Sequence, residues 1–443
     1  MNIQLSDHFT YSRLMRFVFP SVMMMIFTSV YGVVDGLFIS NYVGKTPFAA
    51  VNLIMPFLML LGGVGFMIGT GGSALVAKTL GEGEKEKANE YFSLLIWFSL
   101  GLGILLAIPG ILFIEPISVL LGADAAMLEY CRIYGIILLA AVPAFMLQNV
   151  FQSFLIAAEK PMLGFVITVA AGVANMVLDA LLIAVIPMGV VGAALATAIS
   201  QCVGGLIPFF YFMRKNDSLL RMTKTHFIPE VITKTCSNGL SELVSNISRS
   251  VVSMLYNLQL MRLVGESGVA AFGVIMYVNF IFISIFLGYA IGTAPIFSYH
   301  YGAQNHDELK NIFKKSNILN LAAAVVLFAA ALLLAAPLSH IFVGYDAELY
   351  AMTVRGFRLY AISYLFCGFS LFGSAFFTAL NDGLVSAIIS FLRTLVFEVL
   401  SVLLLPMVLG LDGVWCSISV AEGAALLVTL YFFAAKRKKY HYL

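Results

Sequence analysis

The chain contains itself twice. The run GFMIGTGG at Gly65–Gly72 returns as GYAIGTAP at Gly288–Pro295, and LGEGEKEKANEYF at Leu80–Phe92 returns as YGAQNHDELKNIF at Tyr301–Phe313. VGKTPFAAV (Val43–Val51) pairs with VGESGVAAF (Val264–Phe272), and PMGVVGAAL (Pro187–Leu195) with VLGLDGVWC (Val408–Cys416). The offsets of 221 and 223 residues are half of the 443-residue chain. That period is far too long for a solenoid. Duplicated membrane halves are a transporter pattern, with substrate and ion sites near mid-membrane between or within the halves.

Composition sets the solvent. Apolar residues make up 61% of the chain, charged residues 11%, and the mean hydropathy is +0.98. A soluble domain carries about a quarter charged residues. Stretches able to cross a ~30 Å hydrocarbon core, each needing ~20 residues, recur along the chain. Twelve spans are expected, near 14–40, 47–76, 91–113, 130–157, 162–187, 189–213, 231–263, 270–300, 316–343, 350–380, 384–409 and 412–435. The fold class is therefore an all-α membrane protein, with twelve transmembrane helices in two six-helix lobes. The lobes cover 1–213 and 231–443, joined by a polar linker at 214–230 suited to lie along lipid headgroups.

Charge placement orients the spans. Loops on one side hold Arg13, Arg16, Lys78, Lys85, Lys87, Lys160, Arg214, Lys215, Arg221, Lys224, Lys234, Lys310, Lys314, Lys315 and the tail Lys436–Lys439. The opposite loops hold Lys45 and little else, apart from Arg132, Arg262, Arg355 and Arg358 near helix ends. The positive-inside rule puts both termini in the cytoplasm, in a cell inner membrane. The first apolar run is too long for a cleavable signal. The five cysteines are scattered and odd in number, with no CxxC or Cys/His cluster, so neither a disulfide framework nor a structural metal is expected. No GxxxxGK[ST] sequence is present. Uphill movement of a solute would have to draw on an ion gradient, and neither a cofactor nor a nucleic-acid partner is expected.

Ionisable side chains in mid-membrane cost ~2.5–3.5 kcal/mol even on a lenient scale, so each is a functional candidate. Asp35 lies in span 1 on one helix face with Thr28 and Tyr31, fifteen residues beyond Pro20, which removes a backbone bond and can act as a hinge. In span 5, Asn175 and Asp179 are four apart and share a face; Thr197 of span 6 and Tyr134 of span 4 add hydroxyls. If Asp35 and Asp179 meet, they would share one proton or clamp one monovalent cation. Asn175 is nearly as well suited to capping or packing.

Span 7 carries a polar stripe of Asn238, Glu242, Ser245, Asn246, Arg249 and Ser253, which lipid would not tolerate, so it lines a cavity or the other lobe. Glu242 is a candidate cation- or drug-binding acid. Arg249, ~10 Å along the axis, is its electrostatic counterweight. Arg393 and Glu398 in span 11 diverge around the helix and read as interhelical structure. The 37 Phe and 20 Met, including Met23–Met25, suit a promiscuous pocket for flat cations, although lipid-facing filler is the commoner use of either residue.

With these residues assembled, the chain resembles the multidrug and toxic compound extrusion (MATE) family, and within it the MepA-like bacterial branch. The marks are Asp35 with Pro20 upstream, NMVLD at Asn175–Asp179, GAALAT at Gly192–Thr197, and Glu242. The resemblance implies a first-lobe network of Asp35, Tyr134, Asn175, Asp179 and Thr197 that binds H+ or Na+, Na+ falling to Asp35, Asn175, Asp179 and Thr197. It implies bending of span 1 at Pro20 as occupancy changes, and a second-lobe polar site at Glu242, Asn246 and Arg249. Some relatives add an aspartate in span 10, which this chain lacks. The implied activity is antiport of small cationic or amphipathic organic molecules, without enzymatic chemistry, by a monomer surrounded by membrane lipids. A lipid-linked saccharide flippase stays open as the alternative, although Arg249 and Arg393 are meagre provision for a pyrophosphate.

Overall fold

In the computed structural model, which describes residues 3–443, the chain is a bundle of long helices. The first lobe comprises α1 (Tyr11–Phe38), α2 (Lys45–Gly81), α3 (Lys85–Leu112), a short α4 (Ile114–Leu121), α5 (Ala125–Ala157), α6 (Pro161–Asp179) and α7 (Gly189–Met213). The second comprises α8 (Pro229–Val264), α9 (Glu266–Gly302), α10 (His306–Val343), α11 (Ala347–Ala361), α12 (Tyr364–Ala379), α13 (Gly383–Phe391), α14 (Glu398–Leu409) and α15 (Leu411–Tyr440).

Among the described residues, ten helical stretches are long and apolar enough to cross a membrane, and the bent pair α11–α12 makes an eleventh. The twelfth span is α8, a 36-residue helix whose polar stripe keeps it from qualifying by composition. One span of the expected twelve differs in form: 350–380 is two helices bent by 47°. No proline stands at that break. It is made by tight i→i+3 bonds, Ser363 N–H to Tyr360 O at 3.0 Å and Phe366 N–H to Ser363 O at 3.0 Å.

Several helices also outrun their apolar cores. α10 starts at His306, ten residues before the expected span, because Asn305 caps Glu308 N–H and Asp307 and Glu308 fill the first turn. The linker is tied to the first lobe. Arg221 N–H donates to Asn89 Oδ1 at 2.8 Å, Thr223 N–H to Ser93 Oγ at 2.8 Å, and Leu220 is fully buried.

The lobes meet at the end of the bundle that carries both termini. There α2 and α9 cross through Gly81 and Gly302, 221 residues apart. A Cβ on Gly81 would lie 2.0 Å from Tyr299 O, and one on Gly302 2.0 Å from Lys78 O. Tyr299 and Lys78 are also 221 apart, so the contact maps onto itself under the internal duplication, as an isologous interface does. Two further crossings flank it. Gly71 of α2 presses on Thr235 and Gly239 of α8, and Gly288 and Gly292 of α9 press on Val18, Ser21 and Val22 of α1, beside Pro20. Asn238 of α8 locks this end, donating to Thr378 O at 2.9 Å and to Gly71 O at 3.5 Å.

The N-terminal arm closes over the seam. Leu5 N–H donates to Glu159 Oε1 at 2.7 Å in the first lobe, while Phe9 N–H donates to Glu308 Oε1 at 2.8 Å in the second. Lys315 Nζ and Asn311 Nδ2 donate to Phe9 O, and Phe9 is fully buried against His300.

Candidate functional site

In the first lobe, α1, α5, α6 and α7 bring the sequence-derived residues together. Gly172 of α6 makes room for α1: a Cβ there would lie 2.5 Å from Phe27 and 2.8 Å from Tyr31. On α7, Gly204 accepts the Gln148 side chain and Gly205 the Ala144 carbonyl of α5 in the same way. These approaches carry Asp35 to face Asp179, Asn175 and Thr197. Tyr134 lies beside Thr197 and within electrostatic range of both carboxylates, and Tyr31 reaches toward Gln148 and Asp35.

The groups face one another without closing hydrogen bonds. Asp35 Oδ1, Tyr134 Oη, Asn175 Oδ1, both Asp179 carboxylate oxygens and Thr197 Oγ1 are buried with no partner among the described residues. Gln152 Oε1 and Gln201 Oε1 share that condition. Buried polar groups are ordinarily paired, and each exception asks for an explanation. A cavity of about 20 Å³, lined in part by Thr197, Gln201, Met55 and Val142, adjoins them, enough for one water-sized group. The oxygen-only donor set suits a proton or Na+ better than a softer metal.

Irregular backbone marks the site. A π-helical turn, Ile39–Val43, follows α1 just beyond Asp35, and another, Ala180–Val185, begins directly after Asp179. Such turns widen a helix and recur at functional positions. α1 itself runs unbroken through Pro20, whose side chain is buried.

The stripe on α8 divides in two. Asn238 and Ser245 are buried in the seam or against the second lobe, Glu242 and Asn246 are half-buried, and Arg249 and Ser253 are exposed. Asn246 Nδ2 bonds its own helix at Glu242 O, 3.0 Å, and lies 3.5 Å from the Cβ position of Gly63 on α2. Beyond that point the face of α8 opens, with Met254 and Leu258 exposed. The Glu242 carboxylate accepts no hydrogen bond among the described residues, and Arg249 and Arg393 are its charged neighbours.

One residue the sequence reading passed over is Glu422 of α15. It is 2% exposed and holds Arg393 in a two-pronged pair, Nε to both carboxylate oxygens at 2.9 Å and Nη2 to Oε1 at 2.7 Å. The signal was present: a lone acid in the apolar run SVAEGAAL is as costly in mid-membrane as Asp35. Arg393 sits in a third π-helical turn, Leu392–Phe397, and Glu398 follows it.

The MatE family model matches residues 20–181 and again 243–403, one copy in each half. Among curated relatives, "Multidrug export protein MepA" of Staphylococcus saprophyticus is 26% identical over 423 residues, covering 94% of this chain and 92% of that protein. The protein of the same name in Staphylococcus haemolyticus is 25% identical, covering 97% and 94%. Among solved structures, one described as the outward-facing conformation of a multidrug resistance MATE family transporter of the MOP superfamily aligns at a TM-score of 0.93. It is 25% identical, with 99% of this chain and 98% of that one covered.

Proposed function

Because this chain belongs to the MatE family, we propose that it is a secondary antiporter exporting cationic amphipathic compounds in exchange for H+ or Na+ by alternating access of its two lobes. The observation that carries this reading is the pair of facing acids, Asp35 and Asp179, buried with unpartnered oxygens from Asn175, Thr197 and Tyr134. Two bare carboxylates repel at close quarters, and a single proton or sodium ion between them relieves that repulsion. For Na+, Asp35, Asn175, Asp179 and Thr197 supply the ligand oxygens. The names of the staphylococcal relatives support drug export as the transported half of the exchange.

The mechanism follows from where the site sits. Asp35 is on α1, which packs on α6 within its own lobe and on α9 across the seam. Pro20 leaves the Arg16 carbonyl without its usual i+4 donor, so α1 has a weak turn at the crossing with Gly288 and Gly292. Filling or emptying the Asp35 site changes what holds the far half of α1 against α6. The weak turn lets that change reach the seam.

On the exposed side, Glu242, Asn246 and Arg249 form the polar wall that a cationic substrate meets. Ion and substrate then favour different arrangements of the same lobes, which couples their movements. By the distribution of basic residues the seam end faces the cytoplasm of a bacterial cell, with both termini there. A single chain holds the whole pathway, and the protein works as a monomer.

The test is movement of a cationic dye such as ethidium in proteoliposomes under an imposed pH gradient and, separately, a sodium gradient. Movement driven by one gradient, falling to the level of empty vesicles in Asp35→Asn, is the expected result. Full transport by that variant would remove Asp35 from the mechanism, and no movement under either gradient would overturn antiport.

A further inference from the structure

The second lobe contains a polar cluster that exchange through Asp35 and Asp179 does not use, its Tyr256, Tyr360 and Glu422 buried and its Arg393 and Glu398 half-buried. Shifted by the 221-residue repeat, Asp35 falls on Tyr256, Thr28 on Arg249 and Gln201 on Glu422, while Asp179 falls two residues past Glu398. The duplication has therefore kept a polar centre in this lobe and moved its acids onto α14 and α15. The Tyr256 hydroxyl is buried with no hydrogen-bond partner among the described residues, its ring is 2% exposed, and its charged neighbours are Glu398 and Glu422. Tyr360, also buried, faces Glu398 from α11.

Charge is unbalanced at one atom group in this cluster. Arg393 is consumed by Glu422 in the two-pronged pair, which is neutral as a unit. Arg249, exposed toward the opening between the lobes, feels Glu242 more strongly than Glu398. The Glu398 carboxylate makes no hydrogen bond or ion pair among the described residues, and faces Glu422 together with Arg393 and Arg249. An acid so placed needs one positive charge. The buried side chains of Tyr256, Tyr360, Val402 and Glu422 around it suit a proton rather than an organic cation.

We infer that Glu398 holds an exchangeable proton in the second lobe, beside the buried Tyr256 hydroxyl and with the Arg393–Glu422 pair as a fixed neutral wall. The role of this proton in transport rests on the antiport reading; its binding does not. Infrared difference spectra of the purified protein between mildly acidic and mildly alkaline pH read the binding directly, with no transport needed.

The wild type should show a protonated-carboxyl component that Glu398→Gln loses and the Asp35→Asn/Asp179→Asn double variant keeps. Tyr256→Phe should keep that component and shift its frequency. Glu398→Asp, which preserves an acid, should retain a titrating component and guards against misfolding of the glutamine variant. A Glu398→Gln spectrum equal to that of wild type overturns the assignment. So does a Glu398 carboxylate band that responds to added sodium at constant pH, which would make the bound ion Na+.

Discussion

The self-related crossing of α2 and α9 invites a direct perturbation. Gly302→Ala would put a Cβ 2.0 Å from Lys78 O, where an ordinary contact begins near 3.4 Å. The obstacle is backbone, not the yielding end of a side chain, so the helices must part by about 1.4 Å at this point. Overpacking of this kind costs ~1–3 kcal/mol. The cost falls only on arrangements in which the seam is closed, so it becomes a ~5–150-fold shift toward those open at this end.

Gly81→Ala should act equally, because its Cβ meets Tyr299 O at the same 2.0 Å. The double variant should cost less than twice either single one, since the first separation makes room for the second. Nitroxide pairs at Lys85→Cys and Asp307→Cys, in a background with the five free cysteines replaced, read the separation as a distance distribution. A longer component that grows in each single variant is the expected outcome. Unchanged distributions in a protein with unchanged melting would refute the view that this glycine pair sets the closed state.

Two further outcomes are expected. Glu422→Gln strands the Arg393 guanidinium in a buried position and should destabilise the protein by ~3–5 kcal/mol, whereas Arg393→Met with Glu422→Leu should come close to wild type; equal losses in thermal melts would show that packing, not charge, is at stake. Burial holds Glu159, in the loop between α5 and α6, above the usual carboxylate range, with the Leu5 N–H working the other way. The folded protein thus binds that proton more tightly than the unfolded chain. This group's contribution to stability is present below the ordinary glutamate value and is lost as pH rises through the raised one. The fall in thermal stability over that window should flatten in Glu159→Gln; an unchanged pH profile would contradict it.

The first-lobe residues were legible because each breaks a local rule. Asp35, Asn175 and Asp179 stand in apolar runs where a polar side chain costs free energy, so periodicity and composition were enough to single them out. α8 shows the opposite case. Its stripe is legible as a face turned to a cavity or the other lobe, yet which residues are covered is not: the fold buries Asn238 and Ser245 and leaves Arg249 and Ser253 exposed. Glu422 obeyed the rule that exposed Asp35 and was still passed over, because its partner Arg393 is 29 residues away and no spacing along one helix joins them.

What the sequence determined alone was the class, the duplication and the inventory of costly side chains, since hydrophobic length and repeat offset are properties of the chain itself. What only the tertiary structure decided was which of those side chains meet. Asp35 and Asp179 are 144 residues apart and are brought together by the tight approach of α1 to α6 at Gly172. The repeated glycines were visible as a pattern, but that Gly81 and Gly302 press on each other's helices depends on where two lobes cross. That crossing is set by backbone-to-backbone packing between elements far apart in the chain, which no local propensity encodes.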